Sequence, residues 1–203
     1  MKRLLISCTA LFLAFGLASI ASAQPFTFFD FDGDGNADSS WFVPTIGDSF
    51  IADVYISDID TTHGGLLSMG LQLTFDNTLV KVLSLAADDT NWNIPDLENV
   101  KFDNAAGIAS IAGGTILGGL TGTILLGSIE FQCMGAGVFD VIMGELLPDD
   151  PTFNAFVAID DFVYDKIIDY GFASVNQVPI PGTLFLLLSG LIGLVVLRRR
   201  EAN

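Results

Sequence analysis

The chain has 203 residues, of which 51% are hydrophobic and 16% are charged, and its formal net charge is −16 at pH 7. Residues 24–182 carry 23 Asp and Glu residues against three lysines, a net charge of 3 − 23 = −20. A surface of this sign repels nucleic acids and anionic membranes, whose binding requires basic patches. We therefore exclude nucleic acid as a partner, and residues 24–182 have the length of one domain.

The N-terminus has the three parts of a secretory signal peptide. Lys2 and Arg3 precede an apolar run over residues 4–20, and the small residues Ala-Ser-Ala follow at 21–23. A basic region, a short apolar region and a small-residue site are typical of an export signal that is removed. We predict a signal helix over residues 1–23 and cleavage that leaves Gln24 as the new N-terminus. The mature protein is expected outside the cytoplasm.

The next segment, residues 24–47, is acidic and holds a candidate Ca²⁺ loop. Carboxylates recur at alternate positions, and Gly35, which follows the third of them, permits a tight turn. Ca²⁺ binds six to eight such oxygens, at about 2.3–2.6 Å. The predicted ligands are the carboxylates of Asp30, Asp32, Asp34 and Asp38 and the backbone carbonyl of Asn36.

This loop resembles the calcium loops of EF-hands and dockerins. It departs from them at the twelfth position, where Trp41 replaces the bidentate Glu. The missing ligand is expected from Asp48, Asp58 or Asp60. The alternative is an acidic turn held in water by its own charge. We predict a structural role for Ca²⁺, since it would relieve repulsion among the carboxylates.

Alternation of apolar and polar residues dominates residues 48–176. Three runs are the clearest, at residues 50–57, 67–75 and 123–133, and shorter runs occupy 138–143 and 172–177. One apolar and one polar face is typical of half-buried antiparallel strands. Clusters of Gly, Asn and Asp separate the runs, as turns do. The pattern predicts an all-β fold in which two antiparallel sheets form a sandwich.

Three of these stretches resemble the cohesin domain and related carbohydrate-binding modules. They are residues 47–54 (GDSFIADV), residues 70–82 with the corner Phe75-Asp76-x-x-Leu79, and the paired strands at 122–132 and 137–141. The resemblance implies a cohesin-like jelly roll over residues 48–176. It carries no binding residues over to this chain.

Few other residues indicate a binding or catalytic site. Trp92 and Trp41 are candidates for stacking on sugar rings, with burial in the core as the alternative. His63, the single histidine, lies in an expected turn and is predicted to be exposed. Cys133 shares the apolar face of its strand and is predicted to be a buried, inert thiol. No motif for nucleophilic or nucleotide chemistry is present, so we predict that the protein is not an enzyme.

The C-terminus, residues 178–203, contains an apolar segment with a basic end. Residues 183–197 are uncharged, and a helix of this length spans about two-thirds of a hydrocarbon core roughly 30 Å thick. We predict a transmembrane helix over residues 182–197. The three arginines Arg198, Arg199 and Arg200 then stay on the cytoplasmic side.

This segment resembles the PEP-CTERM sorting signal of Gram-negative bacteria. Pro179 and Pro181 match the Pro-x-Pro motif, a Gly-containing apolar helix follows, and arginines end the chain. Ile180 departs from the Glu that the family name implies. The resemblance implies that a membrane-embedded exosortase cuts near the motif and passes the protein to the envelope surface or the medium. A permanent single-pass anchor remains the alternative.

Two functions follow from these observations. The first is a non-catalytic cell-surface or matrix protein that uses a cohesin-like domain for adhesion or assembly with a surface protein. The second is a carbohydrate-binding module for extracellular polysaccharide. A transient stay at the inner membrane is expected for both.

Overall fold

β-strands are the main secondary structure of the described residues. The computed structural model describes residues 23–43, 45–96, 98–116, 118–148 and 155–177. The strands are β1 (Phe26–Asp30), β2 (Ser40–Phe42), β3 (Ser49–Ile59), β4 (Leu66–Thr74), β5 (Val80–Ala87), β6 (Ile94–Pro95), β7 (Lys101–Asp103), β8 (Ile108–Gly114), β9 (Gly122–Cys133), β10 (Gly137–Glu145), β11 (Val157–Ala158) and β12 (Phe172–Gln177). Within these ranges no helix is long and apolar enough to cross a bilayer.

The strands form two sheets. The small sheet has the order β1-β3-β9-β5, and the large sheet has the order β2-β12-β10-β4-β8-β6, with β11 beside β4 and β7 beside β8. Neighbouring strands are antiparallel except β2 and β12, which run parallel. The all-β sandwich predicted from the alternation is confirmed. The predicted signal helix and the helix over 182–197 lie outside the described residues, apart from Ala23.

The core lies between the sheets and comes from the inward-facing residues of both. Phe50, Ala52, Val54 and Ile56 of β3 are buried, as their alternation predicts, and so are Met69, Leu71 and Leu73 of β4. Burying each large apolar side chain stabilises the fold by about 1.5–3 kcal/mol. The apolar residues at alternate strand positions therefore also make the main contacts that stabilise the fold.

The prediction of which side chains are buried is wrong for the first half of β9. The alternation over residues 123–133 places Leu125 on the same buried face as Ile129 and Phe131. In the structure Leu125 is only partly buried, while Ile124 and Leu126 are inside. The register shifts between Val54 and Tyr55, which pair with Gly127 and Leu125, so that Leu126 is extra. This β-bulge reverses the alternation because the side-chain period of a strand is two.

The acidic segment 24–47, predicted to precede the sandwich, contributes two strands to it. β1 pairs along its full length with β3 in the small sheet. β2 pairs with β12 in the large sheet. The loop between them, residues 31–39, which we call the acidic loop, therefore connects an edge strand of one sheet with an edge strand of the other.

Candidate functional site

The acidic loop is organised around the carboxylate of Asp30. This residue ends β1 and is 2% exposed. Its Oδ1 accepts a hydrogen bond from the N–H of Gly33 (2.7 Å), and its Oδ2 accepts one from the N–H of Gly35 (2.8 Å). Gly33 and Gly35 have φ of 76° and 80°, a region in which glycine carries no steric cost. The two glycines thus allow the loop backbone to wrap around Asp30.

Three of the five predicted calcium ligands come together in this loop. Carboxylate oxygens of Asp30, Asp32 and Asp38 lie within 4.8 Å of one another. Asp38 also accepts a hydrogen bond from the N–H of Phe31 (2.8 Å), which closes the loop. Asp34 is outside this group and instead accepts hydrogen bonds from the backbone N–H and side-chain amide of Asn36 (2.8 and 2.9 Å). Asp48, Asp58 and Asp60, the suggested outside ligands, are not part of the group either.

The pKa values in the loop follow from these contacts. Partial desolvation raises the pKa of Asp32, and the negative charges of Asp34, Asp38 and Asp30 raise it further, against a lowering hydrogen bond from the Asp34 N–H. The hydrogen bonds from Asn36 lower the pKa of Asp34. A carboxylate that is crowded by like charges is stabilised in its ionised form by a cation.

The two tryptophans predicted to stack on sugars differ in accessibility. Trp92 is 1% exposed, and its indole N–H donates to the carbonyl of Leu125 (2.9 Å). A sugar ring has no access to it, so the sugar-stacking role does not agree with the structure, and Trp92 is a core residue. Trp41 is partly buried and stacks on Phe31, with ring centroids 5.6 Å apart. The sequence was misleading at Trp92 because the polar neighbours lie in a loop that folds over the core.

His63 is more constrained than the exposed turn position predicted for it. Its ring stacks on Phe162 at 3.7 Å, with 7° between the planes. Its Nδ1 is 2.8 Å from Oδ2 of Asp160, and this hydrogen bond is the main cause that lowers the pKa of Asp160. These partners are 97 and 99 residues away in sequence, and no local signal identifies them.

Cys133 is buried as predicted. It is 1% exposed at the end of β9. Burial and, to a smaller extent, the charge of Asp48 raise its pKa to about 11. A thiol in this state is a poor nucleophile, because the thiolate is the reactive form.

On β2, β12 and β10 of the large sheet, the outer surface carries four exposed large apolar side chains, which we call the apolar face. They are Phe42 (50% exposed), Val138 (61%), Ile142 (48%) and Phe172 (61%). They belong to the three adjacent strands β2, β12 and β10.

The strand register sets the arrangement of the apolar face. Phe172 lies opposite Ile142, and Asn176 lies between Phe42 and Val138. Between these two apolar rows runs a polar row in which Ser174 donates to Asp140 (2.5 Å). Exposed apolar side chains grouped in this way, with polar groups among them, are typical of interaction surfaces.

The outer surface of the small sheet is more polar. Ile51 is 57% exposed, but it lies opposite Glu130, and Asp53 lies opposite Ser128. Ser128 donates a hydrogen bond to Asp53 (2.5 Å). The two outer surfaces of the sandwich therefore differ in chemistry, and the large sheet carries the better candidate for a protein contact.

No family model and no curated protein matches the sequence. Solved structures do match. A cohesin in a type I cohesin–dockerin complex from Clostridium thermocellum has a TM-score of 0.53 and 11% identity, over 77% of this chain and 100% of that chain. The fold is that of a cohesin. The third ScaC cohesin of Acetivibrio cellulolyticus, solved with a ScaB dockerin, has a TM-score of 0.52 and 11% identity, over 76% of this chain and 99% of that chain.

A third cohesin extends the similarity to a different kind of protein. It is a module of a family 33 glycoside hydrolase from Clostridium perfringens, with a TM-score of 0.53 and 8% identity, over 76% of this chain and 96% of that chain. The cohesin-like sandwich predicted from the three sequence stretches is therefore confirmed. At these identities the similarity concerns the fold, and function requires arguments from the residues of this chain.

Proposed function

We propose that the protein is an exported, non-catalytic assembly or adhesion protein of the cell envelope, which binds a protein partner with the apolar face. The observation that carries the proposal is a cohesin-like sandwich with four large apolar side chains exposed on adjacent strands of one sheet. Cohesins with this fold are solved in complexes with dockerins. The acidic surface favours a partner with basic residues around the contact, because opposite charges accelerate association.

Site-specific photocrosslinking tests the apolar face. A photoreactive phenylalanine analogue replaces Phe172, and in a matched control it replaces Ile51, which is similarly exposed on the outer surface of the small sheet. In cells that produce the protein from its native locus, the Phe172 position is expected to give a discrete adduct that the Ile51 position lacks. The adduct should disappear when Val138→Lys is added. Equal adducts from both positions, or none from either, would contradict a protein-binding apolar face.

Export and sorting form the second part of the proposal. The signal peptide at residues 1–23 brings the domain across the inner membrane, and the C-terminal segment holds it there until an exosortase-type enzyme cuts near Pro179 and Pro181. The support is the order of motif, apolar run and arginines in the sequence. The mass of the protein from cells tests both steps: we expect a chain that begins at Gln24 and lacks roughly the last twenty residues. A mature chain with an intact C-terminus would make the segment a permanent anchor.

Structural Ca²⁺ binding by the acidic loop is the third part. The donors Asp30, Asp32 and Asp38 fit a hard cation, since all are carboxylates and their oxygens converge. Asp34, whose oxygens bind Asn36, serves as the matched control. In calorimetric titration with Ca²⁺ we expect Asp32→Asn to weaken binding more strongly than Asp34→Asn. Identical heats for the parent and Asp32→Asn would show that the loop is only a solvated acidic turn.

Polysaccharide binding, the other function expected from the sequence, has less support. Its main candidate platform, Trp92, is buried, and Trp41 offers only part of its surface. A glycan array with the parent and Trp41→Ala tests what remains of it. Strong sugar binding that is lost in Trp41→Ala would favour the carbohydrate-binding module over the assembly protein.

A further inference from the structure

The folded part of the chain has a sharp boundary at its N-terminal side. Gln24 is exposed, whereas Pro25 is buried. The carbonyl of Pro25 accepts a hydrogen bond from the N–H of Asp169 (2.9 Å), and the N–H of Thr27 donates to the carbonyl of Asp169 (3.0 Å). Residues 25–27 are therefore fixed beside Asp169, and Gln24 is the last residue before this fixed part.

This boundary coincides with the cleavage site predicted from the sequence. Cleavage after Ala23 leaves one residue, Gln24, ahead of the buried Pro25. Gln24 then carries a free α-amine as well as its side-chain amide. The presence of this amine rests on the proposed export, because the uncleaved chain has a peptide bond at the same nitrogen.

The side chain of Gln24 lies on the segment that also fixes Pro25. Its Nε2 donates a hydrogen bond to the carbonyl of Ile167 (2.7 Å). This hydrogen bond is exposed to solvent. Such a bond adds little net stability, because water competes for both of its groups. The amide is therefore held by Ile167, but it is also released often.

Space beside Gln24 allows the released side chain to change conformation. Gln24 and Ile167 both line a cavity of about 880 Å³ at this end of the sandwich. Ile167 is 39% exposed. The side chain of Gln24 can thus leave the Ile167 carbonyl and turn back towards its own backbone nitrogen without displacing any residue of the core.

We propose that Gln24 is a modification site, at which the mature chain closes its own N-terminus as pyroglutamate. The α-amine nitrogen attacks the side-chain carbonyl carbon, Cδ. A bond forms between the α nitrogen and Cδ, the bond between Cδ and Nε2 breaks, a proton passes from the α nitrogen to Nε2, and ammonia leaves. The reaction needs no oxidant, reductant or second substrate, because both reacting groups belong to one residue.

The carbonyl of Ile167 restrains this reaction. Nε2 must give up its hydrogen bond to Ile167 before the side chain of Gln24 can bend back to the α-amine. One exposed hydrogen bond is expected to slow the closure by about 2- to 10-fold relative to an unfolded peptide. The fold therefore delays the modification and does not prevent it.

The modification changes the start of an exported domain in two ways. It removes one positive charge from residues 24–182, which contain only three lysines. It also removes the free amine at which aminopeptidases begin. Because chain termini are preferred sites of proteolysis, a closed Gln24 ahead of a buried Pro25 is expected to protect the domain outside the cell.

The mass and the first residue of the protein from cells test the modification. The protein is isolated from cells that produce it from its native locus. Its intact mass is recorded before digestion, and its N-terminal peptide is then sequenced by tandem mass spectrometry. We expect a chain that begins at Gln24 and weighs one ammonia less than its sequence requires.

The other outcomes separate this proposal from the proposed export. A chain that begins at Gln24 with its full mass overturns the modification and leaves the cleavage after Ala23 intact. A chain that begins at any other residue overturns both the cleavage site and the modification.

The rate of closure in the purified chain tests the restraint by Ile167. A fusion protein in detergent micelles is cut by a protease that leaves Gln24 as the first residue of the chain 24–203. Mass spectrometry follows the loss of ammonia from this chain and from a synthetic peptide of residues 24–36. The chain is expected to react about 2- to 10-fold more slowly than the peptide. Gln24→Glu is the matched control, because it has no side-chain amide and releases no ammonia.

Two results in this experiment contradict the proposal. Equal rates for the folded chain and the peptide overturn the restraint by the Ile167 carbonyl. A folded chain that keeps its full mass after the peptide has reacted completely overturns the closure of Gln24 by its own amine.

Discussion

Replacing Trp92 tests the assignment of this residue to the core. Trp92 is 1% exposed, so Trp92→Ala creates a cavity and leaves the carbonyl of Leu125 without its N–H donor. Truncation of a buried tryptophan destabilises a domain by about 3–5 kcal/mol. Trp92→Phe keeps an aromatic ring but loses the hydrogen bond and part of the volume, and we expect a loss of about 1–3 kcal/mol.

Urea unfolding of residues 24–177, followed by circular dichroism, measures these losses. The strands of both sheets and the core lie between residues 26 and 177, so this segment contains the described fold. Phe102→Ala is the control: this ring is 42% exposed on β7, and a loss below about 1 kcal/mol is expected. If Trp92→Ala cost no more than Phe102→Ala, Trp92 would be at the surface, and the argument against sugar stacking would fail.

Three further predictions concern other parts of the fold. Gly65→Ala is expected to lower the melting temperature by several degrees, because Gly65 has a φ of 85° and an added Cβ would lie 2.6 Å from the carbonyl carbon of Gly119; an unchanged melting temperature would contradict this close approach. Cys133 should react with a thiol reagent only after unfolding, as followed by absorbance, and rapid labelling of the native protein would contradict its burial and raised pKa. The hydrogen bond from His63 lowers the pKa of Asp160 below its ordinary value of 3.8. Ionised Asp160 therefore stabilises the fold above pH 3.8, and this stabilisation is lost as the pH falls through the lower pKa of the folded state. Asp160→Asn should therefore be less stable than the parent near neutral pH, with the difference shrinking in acid; a difference that stays constant would speak against this pairing.

The sequence was sufficient to predict the strands and buried faces that depend on local alternation of apolar and polar residues. β3 and β4 have inward residues at every second position, and a sandwich follows because each sheet needs a second layer to bury its apolar face. The same rule failed in β9, where the extra residue Leu126 reverses the faces. Nothing in the local pattern marks a bulge whose position is set by pairing with Val54 and Tyr55.

Sites that depend on distant contacts were less predictable. The spacing of Asp30, Asp32 and Asp38 predicted a calcium loop, and in the structure carboxylate oxygens of these three residues lie within 4.8 Å of one another because a short loop joins them. Asp34 fits the same spacing, but its oxygens bind Asn36 instead. The contact partners of His63 are almost a hundred positions away in the sequence. No periodicity or motif in the sequence predicts contacts over that distance.

If the C-terminal segment tethers the protein, as proposed, the position of β12 has a mechanical consequence. Among the described residues β12 is the last strand, and it lies between two neighbours, antiparallel to β10 and parallel to β2, with Gln177 at its end. Tension applied through that segment acts along the strand, so the hydrogen bonds on both of its sides resist together rather than opening one after another. A domain held at the envelope by its C-terminus and pulled through a bound partner would carry the load through the interior of its larger sheet.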